Sequence, residues 1–419
     1  MHILKRRLTV RLEHSLLTDR VTALMGPRQA GKTTLVRNLL RTTKDFQYYN
    51  LKDPIVRKLL TENGRQEFHH YRNSTIVLDE VQTVPALLEL IQLQVDEYPE
   101  AKGQFLLLGS NHLLLNRHIK ESLAGRVALF TLLPLSFGEQ LENDEKTLLE
   151  QLTETEGMEE CRAVLENFYI PVERTSHYQD IFTDLNMFGG YPEFLNRHNP
   201  RDKREWLSSY HQTYLETDLR QLVELRNPET FETFEQLFSQ RVGNLMNISE
   251  LARDCGRSAD TIKRFIGYYR QLFISWRAKP YFSNPGKRMM KMSKYYFYDS
   301  GLFRSLVNDF TTLSGQYFEN TVLTEIRKNL HFSSNDKELY FARTATGVEV
   351  DGFIKTPVSK CNLFVEIKQT DRNKKQDIKH LKKYVADDAE GVGILVNNSS
   401  RIEKMDERIW SVPAVWLLS

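Results

Sequence analysis

The segment Gly26-Pro27-Arg28-Gln29-Ala30-Gly31-Lys32-Thr33-Thr34 fits the pattern G-x-x-x-x-G-K-[ST] and constrains the fold more than any other stretch. An apolar strand candidate, Val21–Met25, leads into it, and a helical stretch, Thr33–Leu40, leads out. Glycines at both ends let the backbone curl so that its N–H groups face phosphate oxygens. Lys32 adds a point charge, and the Thr33 hydroxyl suits a Mg²⁺ ligand. A glycine turn capping an ordinary helix would not account for the adjacent Lys-Thr-Thr. The pattern implies binding of a nucleoside triphosphate.

Turnover needs a second element. Thr75-Ile76-Val77-Leu78-Asp79-Glu80 is an apolar strand ending in two acids. In the Walker B arrangement Asp79 holds the Mg²⁺ shell and Glu80 orients and deprotonates the attacking water. A third strand candidate, Gln104–Leu108, runs into Gly109-Ser110-Asn111, where either Ser110 or Asn111 is placed to sense the γ-phosphate. Leu123-Ala124-Gly125-Arg126 offers an arginine with two readings: a finger on a neighbouring subunit's nucleotide, or a surface salt bridge.

At 419 residues the chain is long for one core, so two or three domains are expected. A hydrophobic content of 40% with 27% charged residues is that of a soluble globular protein, and a net charge of +2 nominates no polyanionic partner by itself. Cys161, Cys255 and Cys361 lie too far apart for a zinc site or a disulfide framework, which fits a reducing cytoplasm. No apolar run approaches the ~18 residues of a membrane span, and Met1–Arg7 lacks a signal peptide's apolar stretch.

The pattern divides the chain into residues 1–135, an α/β domain with a parallel sheet; 136–230, a helical region; 231–285, a helix–turn–helix module; and 286–419, a second α/β domain. In the first domain the strands are Val21–Met25, Phe46–Asn50, Thr75–Leu78, Gln104–Leu108 and Val127–Leu132. The acid-rich stretch Glu139–Glu160 reads as an exposed helix or helix–loop. Ser249 is placed to cap a helix Glu250–Asp254, Cys255-Gly256-Arg257 to turn, and Ser258 to cap a second helix. This module either sets Lys263, Arg264 and Arg270 on DNA as a winged helix or packs beside the ATPase core.

A second chemical constellation lies near the C-terminus. Glu349-Val350-Asp351 is followed, after a turn, by Val365-Glu366-Ile367-Lys368. An Asp on one strand and Glu-x-Lys on the next form the PD-(D/E)xK nuclease pattern. The two-residue period puts Glu366 and Lys368 on one strand face. Asp351 and Glu366 could then share a Mg²⁺ while Lys368 positions the attacking water, with Glu319 or Glu325 completing the set. Lys368, Arg372, Lys374, Lys375, Lys379, Lys382 and Lys383 form a basic stretch suited to a phosphate backbone. Lys287, Arg288, Lys291 and Lys294 read as a second basic cluster, in a loop.

Together these residues resemble a widespread bacterial and archaeal group of AAA-type ATP-binding proteins. The resemblance rests on the P-loop, Leu78-Asp79-Glu80-Val81-Gln82, Leu123-Ala124-Gly125-Arg126, Pro134-Leu135-Ser136-Phe137, Gly189-Gly190-Tyr191-Pro192, Tyr298-Asp299-Ser300-Gly301-Leu302, Phe318-Glu319-Asn320 and the Asp351/Glu366/Lys368 set. It implies an N-terminal P-loop AAA-type ATPase domain, a helical and winged-helix middle, and a C-terminal restriction-endonuclease-like α/β domain. ATP and Mg²⁺ are the implied cofactors, and the group usually shows Gly-Ser-Ser where Asn111 follows Gly109-Ser110. The expectation is a cytoplasmic, homo-oligomeric ATPase coupled to a DNA-binding, nuclease-like half. The alternative is a nucleotide-gated regulator whose C-terminal folds bind a protein partner.

Overall fold

The computed structural model describes residues 4–43, 45–110, 122–215, 228–281, 292–332, 337–344, 346–355 and 361–419. Asn111, Lys287, Arg288 and Lys291 lie outside the described residues. A first helix, α1 (Thr9–Thr18), precedes β1 (Val21–Met25), and α2 (Lys32–Thr43) follows the glycine loop. Then come β2 (Phe46–Asn50), α3 (Pro54–His70), β3 (Thr75–Asp79), α4 (Leu87–Glu97), β4 (Phe105–Gly109) and β5 (Val127–Thr131). Asp53 starts α3 by accepting a hydrogen bond from the Ile55 N–H, with Pro54 in the first turn where its missing donor costs nothing.

These strands form one parallel sheet in the order β2-β3-β4-β1-β5. The order explains the sequence. Central β1, β3 and β4 are buried along their whole length, while edge strands β2 and β5 are partly exposed. Side chains alternate between two cores. Val21, Ala23, Ile76, Leu78, Phe105 and Leu107 enter one; Leu24, Val77, Leu106 and Leu108 enter the other. The register Met25↔Gly109 and Asp79↔Leu108 brings the carboxyl ends of β1, β4 and β3 side by side, where ligands of open α/β sheets bind.

The second sheet has eight strands: β6 (Ser275–Pro280), β7 (Lys294–Phe297), β8 (Glu338–Arg343), β9 (Glu349–Lys355), β10 (Asn362–Ile367), β11 (Gly391–Asn397), β12 (Glu403–Asp406) and β13 (Ile409–Pro413). β6 and β7 form an antiparallel hairpin after the helices Ile248–Asp254 and Ala259–Gln271. β6 also pairs in parallel with β8, so the helix–turn–helix segment and the C-terminal segment share one sheet. Asn247, rather than Ser249, caps the first of these helices by accepting from the Glu250 N–H; Ser258 caps the second.

The helical region is packed into the C-terminal half, with Phe137, Phe182, Phe234, Tyr269, Phe318 and Trp410 in one core. The acid-rich stretch is exposed only in part. Glu139 is buried against Arg6 at 3.0 Å, and Glu150 meets Arg7 at 2.6 Å, so the N-terminal arginines neutralise both. Gly189 has φ +83, and a Cβ there would stand 2.0 Å from Asp299 Oδ1. Asp299 accepts from the N–H groups of Gly190 (2.8 Å) and Leu302 (2.9 Å), which locks the two glycine-bearing motifs together. Among the described residues no helix is long and apolar enough to cross a membrane.

Candidate functional site

The P-loop spans the turn from β1 to α2. Gly26 has φ +151, and a Cβ there would lie 2.0 Å from the Leu132 carbonyl oxygen, so only glycine fits. Pro27 and Ala30 are buried, Gln29 is exposed with φ 60, and Thr34 is exposed. The Arg28 carbonyl accepts from Tyr210 at 3.1 Å. Lys32 donates to the carbonyls of Gly26 and Pro27, both at 2.8 Å, and burial pushes its pKa down to about 8. A buried ammonium bonded to two neutral carbonyls is poised for an anion, which fits phosphate.

Asp79 and Glu80 face this loop from the end of β3. Asp79 Oδ2 accepts from Thr33 (2.9 Å) and from Tyr48 (2.5 Å). Thr33 and Asp79 therefore converge on one point, as a shared Mg²⁺ requires. Glu80 adopts left-handed φ 60, ψ 43, a conformation uncommon for a residue with a side chain. Lys52 pairs with its carboxylate at 2.6 Å, Ser110 donates at 3.1 Å, and Gln82 donates as well. Burial would raise the Glu80 carboxyl, but Lys52 and Gln82 outweigh it and hold the group below the usual carboxylate range. Ser110, one of the two sensor candidates, thus touches Glu80.

Several members of this site have no sequence signal. Lys52 and Tyr48 come from β2 and its end. Arg6 reaches across the domain, donating to the Ala30 carbonyl in the loop (2.8 Å), the Leu133 carbonyl (2.6 Å) and Glu139 (3.0 Å).

Arg126 lies elsewhere. The register Val21↔Val127 puts it at the amino end of the sheet, five residues from the P-loop end marked by Met25↔Thr131. There it makes a two-pronged pair with Asp96, at 2.6 and 3.0 Å.

In the C-terminal sheet, Glu319, Asp351, Glu366 and Lys368 come together. Lys368 donates to Glu366 Oε1 at 2.7 Å, Asp351 accepts from the Ile367 N–H at 2.9 Å, and Tyr296 donates to Glu319 at 2.7 Å. Burial and the Asp351 charge push Glu319 and Glu366 above the usual carboxylate range. Glu325, the alternative to Glu319, faces away, paired with Lys328 at 2.7 Å and accepting from the Phe137 N–H at 2.7 Å. Lys294 corrects its reading as part of a basic loop. It opens β7, is 3% exposed, and lies 2.6 Å from Glu349, 3.9 Å from Glu319 and 4.0 Å from Asp351. Its ammonium stands among the carboxylates that would receive a metal, and Mg²⁺ does not fit the cluster in this arrangement. Among the described residues no group of three or more His, Cys, Asp or Glu is arranged to hold a metal ion.

Fold and site define the N-terminal third as a P-loop nucleotide-binding domain of the mixed α/β class. Residues 18–141 match the family model of an AAA domain. Residues 179–313 and 314–417 match two domains of unknown function, DUF8612 and DUF4143. An uncharacterized protein of Mycobacterium tuberculosis is 27% identical over 370 residues, covering 85% of this chain and 72% of that protein. One of Haemophilus influenzae is 22% identical over 334 residues, 74% of each chain. Among solved structures, a Walker-type ATPase of Pyrococcus abyssi aligns with a TM-score of 0.48 at 17% identity, over 73% of this chain and 96% of that one.

Proposed function

We propose that the chain hydrolyses ATP and couples hydrolysis to a nucleic-acid-binding, nuclease-like C-terminal half. The observation that carries this reading is the convergence of Lys32, Thr33, Asp79 and Glu80 on the carboxyl edge of one parallel sheet. Lys32 and the loop N–H groups hold the phosphates, and Thr33 and Asp79 would hold a Mg²⁺ that would supply positive charge to the phosphates. Glu80, released from Lys52, Gln82 and Ser110, orients and deprotonates the attacking water. Arg126 acts in this scheme only from a neighbouring copy in a homo-oligomer.

The nucleic-acid part rests on charge. Arg372, Lys374, Lys375, Lys379, Lys382 and Lys383 are exposed along the segment that leads into and forms the helix Lys379–Asp387, beside β10 and β11. Lys382 shares its charge with Asp406 at 2.5 Å. Binding of single- and double-stranded DNA, with and without ATP, across a salt series tests this reading. Phosphate contacts make affinity fall steeply with salt. Absence of DNA affinity at low salt contradicts it.

One observation favours the second reading, a nucleotide-gated regulator whose C-terminal folds serve a protein partner. Lys294 supplies the carboxylate cluster with its own cation, and that arrangement suits a structural role better than metal-dependent cleavage.

A further inference from the structure

A cleft of about 630 Å³ lies where the end of β5, the helix Ala259–Gln271, β6, the helix Gly315–Phe332 and β8 meet. Its charge is one-sided. Arg270, Arg277, Lys279, Arg327 and Lys337 line it against the single carboxylate of Glu338, which already accepts from Tyr340. Among the described residues none of the five cations is paired with a carboxylate. Arg277 donates to Ser293, Lys337 to Thr153, and Arg327 rests over the Trp276 ring at 5.0 Å.

The cleft also gathers unsatisfied polar atoms. Ser275 Oγ, Gln271 Oε1 and His331 Nε2 are buried without hydrogen-bond partners, and all three residues line it. Ser275 is fully buried. Leaving a buried polar group unpaired costs about 1–3 kcal/mol, so the Ser275 hydroxyl is a donor that a ligand or a water would satisfy.

From this geometry we infer that the cleft is a second anion site, distinct from the P-loop, for a small phosphate-bearing ligand. Five cations without a carboxylate partner, three of them held by neutral groups, match a di- or polyanion. The volume falls in the range of about 300–1,000 Å³ typical of small-molecule sites and is far too narrow for a duplex. Ser275 supplies a short-range hydroxyl donor, and the arginines supply charge.

Calorimetric titration of the full chain with inorganic pyrophosphate tests this site. Lys32→Ala is used throughout to silence the P-loop. The expected result is one pyrophosphate per chain, weakened at least about tenfold by adding Arg270→Gln and Lys279→Gln. Both side chains are exposed, so the melting temperature should hold. Displacement of bound pyrophosphate by a short 5′-phosphorylated single strand would assign the phosphate to nucleic-acid ends. Retention would assign it to a free phosphorylated metabolite. Binding that vanishes with Lys32→Ala alone, or that ignores the Arg270/Lys279 pair, overturns the cleft site. The first of those outcomes leaves the nucleotide reading of the P-loop intact.

Discussion

Lys294 Nζ lies 2.6 Å from Glu349 Oε1 in the interior of the C-terminal sheet, close enough to Asp351 and Glu319 to serve as their common counter-ion. Burial alone would lower this ammonium's pKa, but Glu319, Asp351 and Glu349 outweigh it and keep it charged. Lys294→Met preserves most of the volume and removes the charge, leaving Glu319 and Asp351 without their buried counter-ion while Arg343 still pairs with Glu349 and Lys368 with Glu366. The mutant should gain a Mn²⁺ site that the wild type lacks, seen as a Mn²⁺-dependent rise in melting temperature and lost again with Asp351→Asn. Nucleotide-free wild type that binds Mn²⁺ in an Asp351-dependent manner would contradict the counter-ion role.

Arg6 ties the P-loop to Glu139 with both side chains almost fully buried. Arg6→Met leaves the Glu139 carboxylate only the N–H groups of Arg7 and Ser136, and breaking one side of a buried pair costs about 3–5 kcal/mol. Urea unfolding should show a lower midpoint with an unchanged slope. Loss below about 1 kcal/mol would mean that solvent replaces the arginine at no cost.

The depressed pKa of Lys32, about 8, sets a pH dependence for nucleotide binding. Only the protonated amine carries charge, so ATP affinity should hold below pH 8 and fall as pH rises through it, by up to about tenfold one unit above. Lys32→Gln should bind weakly with a flat profile between pH 7 and 9. A wild-type profile that is flat across the same range would mean that the ammonium does not contact phosphate.

Arg126 sits five strand residues from the P-loop end of the sheet, roughly 16 Å at the usual rise per residue. Any contribution it makes to hydrolysis is therefore in trans. Wild-type turnover per chain should rise with protein concentration, and Arg126→Ala should abolish that rise, on the order of a thousandfold, with ATP affinity intact. A monomer whose rate is independent of concentration and of Arg126 leaves this residue its salt bridge to Asp96 alone.

The N-terminal sheet was legible because its information is local. Val21–Met25 and Phe46–Asn50 are strands bounded by turn residues, and both match the structure end to end. Asp79 and Glu80 announce themselves by ending an apolar run. What the sequence hid depends on partners distant along the chain. Lys294 looks like its basic neighbours until Glu319, Glu349 and Asp351 fold over it. Glu139 and Glu150 look like solvated acids until Arg6 and Arg7 reach them. Lys52 acquires meaning only because parallel pairing of β2 with β3 sets its ammonium beside Glu80. The likeness of Glu319 and Glu325, both acids on one helix, was likewise unresolvable without knowing which face the sheet covers.

ATP hydrolysis under single-turnover conditions, measured beside ATP binding for the wild type and Glu80→Gln, tests the central claim most directly. The amide keeps the size of the side chain and leaves the phosphate cradle untouched, but it cannot take the water's proton. The expected result is unchanged ATP affinity and hydrolysis slowed on the order of a hundredfold or more. Hydrolysis at the wild-type rate by Glu80→Gln would contradict it.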